Sequence, residues 1–354
     1  MSEIVFVIGA GASKHCGTPL MNDFLDVARD LLRRGEVKEA KTVFEKVLNA
    51  VGGLNAVHSK AKLDMDNIES VYTAFEMGLL LGKLPGINSE EEIASLTPAL
   101  RKVISYTLQK TTRIPLDSRF QGYYDFTNII NKLIEQKRTF TLITFNYDLG
   151  LDYTLYRNKI LPDYGLDDIA IQENKVNKAL YLKLHGSLNF GRCIKESCAR
   201  IIPYREFLIT KHTPGNNYST LPIIEKLGNQ KCPFCKEPQS EDPVIIPPTW
   251  NKTAYHNQID KVWRRAAKEM ADTEQIIIMG YSLPTTDWFF NYLYGLGIDM
   301  ATPLKGFYVY NPDSNVEKRF KDLLGTGAIE RFHYNQLRFE ESISSISSVL
   351  GIKE

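Results

Sequence analysis

A short, largely apolar run at 140–143 stops abruptly in Thr144, Asn146 and Asp148, with Phe145 and Tyr147 between them. A run of that length without polar alternation suits a strand covered on both faces, as strands of a parallel sheet are. Successive strand side chains alternate faces, so three polar groups at a spacing of two point the same way if the backbone stays extended. Open α/β sheets bind ligands beyond the carboxyl ends of their strands, and a directed polar cluster there predicts a site.

The same grammar recurs along the chain. Residues 3–8 enter Gly9-Ala10-Gly11-Ala12-Ser13, the pattern of a strand turning tightly into a phosphate-binding loop. A dinucleotide fingerprint would want a further glycine at position 14, where Lys14 stands, so a hydride-transferring dehydrogenase is disfavoured. Residues 179–184 run into His185-Gly186-Ser187, 275–279 into Gly280-Tyr281-Ser282-Leu283-Pro284, and 307–310 into Asn311-Pro312. A last strand is expected at 329–334 and a closing helix at 339–350. Helices are also expected at 150–156 and 257–270, with polar loops from there to Lys178 after the first of them.

Between the first two strands the period changes to that of helices. Val37, Ala40, Val43, Phe44, Val47, Leu48 and Val51 form one apolar stripe, and Ile68, Val71, Phe75, Leu79 and Leu80 another. Gly52-Gly53, Pro85-Gly86 and Ile114-Pro115 supply breaks. The expected architecture is therefore an α/β, Rossmann-like parallel sheet flanked by helices, assembled from 1–22, 136–189 and 246–354, with a helical insertion at 23–135 and a small metal-binding insertion at 190–245.

The metal expectation rests on cysteine spacing. Cys193 and Cys198 are followed, after 33 residues, by Cys232 and Cys235, the arrangement of a tetrahedral four-thiolate zinc site. Four closed ligands leave no open coordination position, which makes the role structural; four unligated thiols are the alternative. Cysteines used this way, with Cys16 isolated, suit a reducing compartment, and a cytoplasmic location is expected. With 43 basic and 42 acidic residues the net charge is +1, so nothing global calls for nucleic acid or an anionic membrane. The apolar stretch at 4–12 follows Glu3 rather than a basic segment and is too short to span a bilayer, so neither a signal peptide nor a membrane helix is expected.

Taken in order, the five strand ends with a four-cysteine insertion after the histidine resemble the sirtuin superfamily over nearly the whole chain, and Gly17-x-Pro19 resembles that family's cofactor loop. The resemblance implies NAD⁺ as ligand, with Gly9, Ala10, Gly11, Ser13 and Pro19 around its phosphates and ribose. Gly280, Ser282 and Asn311 would take the adenosine side and Thr144 would support the nicotinamide-ribose pocket, where the catalytic residues would be His185 as base, Asn146 orienting water or the ribose, and Asp148 stabilising the developing positive charge or holding the loop. Two departures point to one branch. Leu20-Met21-Asn22 follows Pro19 where sirtuin deacylases carry Asp-Phe-Arg, and Pro247-Pro248-Thr249-Trp250 replaces the Phe-Gly-Glu segment that pairs with an acyl-lysine peptide. Two prolines cannot donate to such a ladder. The pattern resembles the divergent bacterial sirtuin-like group, which implies an NAD⁺ hydrolase of anti-phage defence. That in turn implies a homo-oligomer held silent until a partner, such as a HerA-like ATPase or an Argonaute, releases it. A lysine deacylase and a non-catalytic NAD or ADP-ribose sensor are the competing expectations.

Overall fold

The computed structural model describes residues 2–115, 121–166, 177–207, 211–212, 218–246, 259–271, 273–284, 288–296 and 303–352. Its centre is a seven-stranded sheet whose strands we number along the chain. They are β1 (Ile4–Ile8), β2 (Phe140–Thr144), β3 (Ile160–Asp163), β4 (Asn177–Lys183), β5 (Gln275–Met279), β6 (Gly306–Tyr310) and β7 (Phe332–Asn335). The order across the sheet is β7-β6-β5-β1-β2-β4-β3, and every neighbouring pair is parallel. After β1 the chain moves to one side of the sheet, and it returns to the other at β5. The β1–β5 boundary is therefore the topological switch point, where such sheets open a crevice at their carboxyl ends.

All five side chains of β1 are buried, and alternation sends them to two different cores. Ile4, Phe6 and Ile8 meet Phe126, Ile130, Leu133 and Phe339 from the helices Gln121–Glu135 and Phe339–Val349. Val5 and Val7 meet Val262, Ala266, Phe290 and Phe320 from Asp260–Ala271, Trp288–Leu296 and Asn315–Leu323. The result is three layers, helix on sheet on helix. A third core lies outside them, where Phe44, Val47, Tyr72, Phe75, Leu100 and Val103 pack the helices Lys41–Leu54, Ile68–Leu80 and Leu96–Thr111 together.

Several expectations are corrected. The helix Lys41–Leu54 runs straight through Gly52 and Gly53 instead of breaking there. A Cβ on Gly53 would stand 2.8 Å from the Pro85 carbonyl oxygen, so this glycine serves the close approach of a neighbouring loop. Leu79 and Leu80 are exposed by 42% and 74% and do not extend the stripe begun by Ile68. Residues 160–163, read as loop, form edge strand β3, and Ile329 ends a helical turn (Thr326–Ile329) ahead of β7. The helix expected at 257–270 is Asp260–Ala271, its first residues lying outside the described ones, as do Pro247, Pro248, Thr249 and Trp250. Among the described residues no helix is long and apolar enough to cross a membrane.

Candidate functional site

Register sets the site. Ile8, Thr144, Met279 and Tyr310 are matched across adjacent strands, so the residues that follow them share one edge of the sheet. Gly9, Asn146, His185, Gly280 and Asn311, far apart in the sequence, are thus carried to the same end.

The extended backbone ends at Thr144. Thr144 Oγ1 donates to Ile8 O (2.7 Å) and accepts from the Asn146 amide (3.1 Å), which folds the next residues over β1. Asn146 Nδ2 donates to Gly9 O (2.9 Å) and to Ser13 Oγ (3.0 Å). Both amide hydrogens are thereby used, whereas Oδ1 is buried without a partner. A buried acceptor left unpaired costs about 1–3 kcal/mol, a cost a ligand donor can relieve. Asp148 does not continue the row: its Oδ1 accepts from the Gly150 amide (2.9 Å) at the start of the helix Gly150–Arg157. The extended backbone that would have pointed three polar groups the same way stops at Thr144, so loop hydrogen bonds and not strand alternation place Asn146 and Asp148.

These groups border an open-sided cavity of about 450 Å³, counting the solvent at its mouth. Ala10, Thr18 and Pro19 line it from the loop after β1, Phe145, Asn146, Tyr147 and Asp148 from the loop after β2, and Ile104 and Leu108 from the helical insertion. Its walls are mostly apolar with a few convergent polar groups, the usual make-up of a small-molecule site. His185 is placed at the adjacent strand end but not among the lining residues. Its ring packs edge-on against Phe145 (5.0 Å between centroids) and beside Tyr147 (6.1 Å), and its carbonyl accepts from the Ile246 amide (2.7 Å).

The glycines also serve a close approach of backbone to backbone. The Gly9 amide donates to Met279 O (3.0 Å) and the Gly11 amide to Gly280 O (2.9 Å), so two loops meet backbone to backbone at the switch point. A Cβ on Gly9 would lie 2.5 Å from the Tyr281 Cα, and one on Gly280, where φ is +60°, 2.3 Å from the Ala12 amide nitrogen. No side chain fits at either position. Ser13 is buried, with Oγ 2.7 Å from Tyr123 Oη. Asn311 Nδ2 donates to Tyr281 O (3.3 Å) and its Oδ1 accepts from the Asp313 amide, while Ser282 uses its carbonyl to accept from Arg319 (3.0 Å). These residues lie at the ends of β5 and β6 and do not line the Asn146 cavity.

Sequence reasoning missed the support beneath the site. Lys183 Nζ pairs with Asp152 Oδ2 (2.9 Å) and donates to Asp148 O (2.7 Å), with both charged side chains wholly buried. Tyr164 Oη donates to Asp152 Oδ1 (2.7 Å) and accepts from Asn189 Nδ2 (3.1 Å). Burial pushes the Asp152 carboxyl above the usual carboxylate range even though Lys183 opposes it. His15 is another such residue: its ring stacks on Phe339, Nδ1 faces Ala12 O at 2.7 Å, and burial lowers its pKa. Lys183 and Asp152 lie 31 residues apart, and no local motif announces them.

The four expected cysteines converge, their sulfurs all within 4.8 Å of one another. Cys193 and Cys235 stand 3.4 Å apart and Cys198 and Cys232 3.7 Å. A tetrahedron with zinc–sulfur bonds of about 2.3 Å has edges of roughly 3.8 Å, so the donor set fits that ion. Within the cluster the Cys235 and Phe234 amides aimed at the Cys232 sulfur lower that thiol against the effect of burial, whereas burial raises its neighbour Cys193. The hairpin Phe190–Arg192 with Ile201–Pro203 frames the cluster. Cys232→Ser is expected to remove about one equivalent of metal per chain and to unfold this lobe, read by elemental analysis and by amide exchange over 190–245.

No family model matches the sequence, and no curated protein matches it. The solved structures it resembles include Sir2 homologues. A Sir2 homologue in complex with ADP-ribose is 16% identical, with a TM-score of 0.43, covering 99% of this chain and 94% of that one. A second mutant of a Sir2 homologue with ADP-ribose gives 15% and 0.44 over the same shares, and Sir2Tm bound to a propionylated peptide gives 12% and 0.41.

Proposed function

We propose that this chain is an NAD⁺ glycohydrolase, releasing nicotinamide and ADP-ribose, and that it serves as the NAD-depleting effector of a bacterial anti-phage system. The observation that carries the catalytic reading is Asn146, held by Gly9 and Ser13 with its Oδ1 unpaired at a mainly apolar cavity. An apolar wall suits a flat pyridine ring, and an unpaired acceptor suits a ribose hydroxyl or water. Two structural neighbours hold ADP-ribose, which supports a related ligand here. The defence role rests on the sequence resemblance alone.

The reaction adds water to the nicotinamide-bearing ribose carbon and returns nicotinamide, ADP-ribose and a proton. Its oxocarbenium-like transition state resembles that of glycoside hydrolysis, but the pyridinium leaves as a neutral molecule and needs no general acid. One base and one orienting group suffice. His185 takes the proton of water or of a ribose hydroxyl, and Asn146 orients it. Thr144 holds the Asn146 amide, and Asp148 caps the helix that begins at Gly150. On this reading Pro19 and Ala10 flank the ligand, and Gly280, Ser282 and Asn311 shape its adenosine side.

The test is nicotinamide release measured with and without an acyl-lysine peptide and with and without the proteins encoded beside this one. Turnover without peptide supports the hydrolase; turnover only with peptide identifies a deacylase instead. Tight NAD binding with no turnover under every condition would leave a sensor.

A further inference from the structure

The direction of the Asn146 carboxamide is set from outside the side chain. Its terminal torsion joins an sp³ to an sp² carbon and is broad, so hydrogen bonds rather than an intrinsic rotamer decide where Oδ1 points. Gly9 O can only accept, which fixes Nδ2 on that side (2.9 Å) and excludes the flipped amide, whose Oδ1 would meet it acceptor to acceptor. One such bond leaves the group able to rock about it. The second runs from Nδ2 to Ser13 Oγ (3.0 Å), and a serine hydroxyl can itself turn between staggered positions and donate as well as accept. Ser13 therefore steadies Asn146 only if Ser13 is itself held.

Tyr123 holds it. Its Oη stands 2.7 Å from Ser13 Oγ, with both side chains buried. Burial pushes the phenol pKa well up, so the group stands as a neutral hydroxyl that can donate to Ser13 or accept from it. The ring is clamped edge-on against His15 (4.7 Å between centroids) and tilted against Phe339 (5.2 Å). Gly150 makes room for it, since a Cβ there would come 3.0 Å from Tyr123 Cε2. Thr18 Oγ1 donates to Ser13 O (2.8 Å) and steadies the serine backbone from the other side.

We propose that Tyr123 is a positioning residue for the site: through the Ser13 hydroxyl it holds the Asn146 carboxamide in one orientation. Tyr123 comes from the helix Gln121–Glu135 and does not line the cavity, so it acts through Ser13 and not on a ligand. Its effect on turnover rests on the reading of Asn146 as the group that orients water or the ribose. Its effect on the carboxamide does not.

The test follows the Asn146 side-chain amide by NMR of the whole chain, isotopically labelled at asparagine nitrogen, with the signal assigned by its loss in Asn146→Asp. Tyr123→Phe keeps the ring and removes only Oη. It is expected to speed exchange of the Asn146 amide protons with water about five- to tenfold, the worth of one hydrogen bond. Nicotinamide release should fall about tenfold or more in kcat with KM little changed, because alignment is lost and the ligand contacts remain. In a Ser13→Ala background the same substitution should alter neither readout further, since its route to Asn146 runs through Ser13. Phe126→Leu, a core change on the same helix against Phe6 (5.2 Å between centroids), should leave the Asn146 signals in place. Unchanged amide exchange in folded Tyr123→Phe, additive effects of Tyr123→Phe and Ser13→Ala, or equal loosening by Phe126→Leu overturns the proposal. A wild-type chain that neither binds nor cleaves NAD, while Tyr123→Phe still loosens the amide, removes the NAD reading and leaves the positioning of Asn146 standing.

Discussion

Lys183→Met is expected to destabilise the protein by about 3–5 kcal/mol, because it strands the Asp152 carboxylate in the interior without its counter-charge. Asp152→Leu should cost a similar amount by stranding the ammonium. The double variant should cost clearly less than the two singles together, since neither charge then remains unpaired. It does not return to zero, because Asp148 O loses a donor and Tyr164 Oη an acceptor. Urea denaturation of the four chains reads the cycle, and strict additivity would show that the pair does not interact. The sign of the pH effect follows from burial, which raises the Asp152 carboxyl. A raised folded-state value means that its contribution is fully present below the unfolded carboxylate value and is lost as pH rises through the folded value. Between those two pH values the stability of wild type relative to Asp152→Asn should therefore fall with rising pH.

What the sequence reveals of such a molecule depends on whether the signal is local. β1, β2, β5 and β6 are readable because each is an apolar run that stops at a polar or glycine turn, and burial on both faces requires that pattern. β3 escapes because it is four residues long, lies at the edge of the sheet and contains Pro162, which central strands exclude. Gly9 and Gly11 are recognisable as residues that must be small, but what they approach is the Gly280–Tyr281 backbone, a partner some 270 residues away that no local pattern names. The four cysteines are legible for the opposite reason, since thiolate ligation has a spacing of its own. Lys183 reads as an ordinary polar end to a strand; only the register that sets it beside Thr144, and the helix that carries Asp152, make it half of a buried pair.

Asn146→Ala is expected to lower NAD turnover by about 10²–10³-fold, the usual consequence of removing one oriented polar group from a transition-state site. Its structural role is separable from its chemical one. Both Nδ2 hydrogens hold the β1 loop, whereas Oδ1 alone is unpaired, so Asn146→Asp keeps the shape and replaces two donors with a carboxylate facing Gly9 O. Both variants should lose thermal stability with the Nδ2 bonds, whereas only Asn146→Ala also removes the Oδ1 acceptor and should lose more of the ligand affinity. His185→Ala should behave differently. Its ring packs on Phe145 and Tyr147 outside the cavity lining, so its loss should lower turnover by about 10²–10⁴-fold with NAD affinity little changed, if it is the base. A His185→Ala chain that keeps more than a tenth of wild-type turnover would remove histidine from the mechanism while leaving Asn146 in place. Phe145→Ala then discriminates further, because that ring both packs on the imidazole and lines the cavity: turnover that survives Phe145→Ala but not His185→Ala means that the histidine does not act through the aromatic packing it supports.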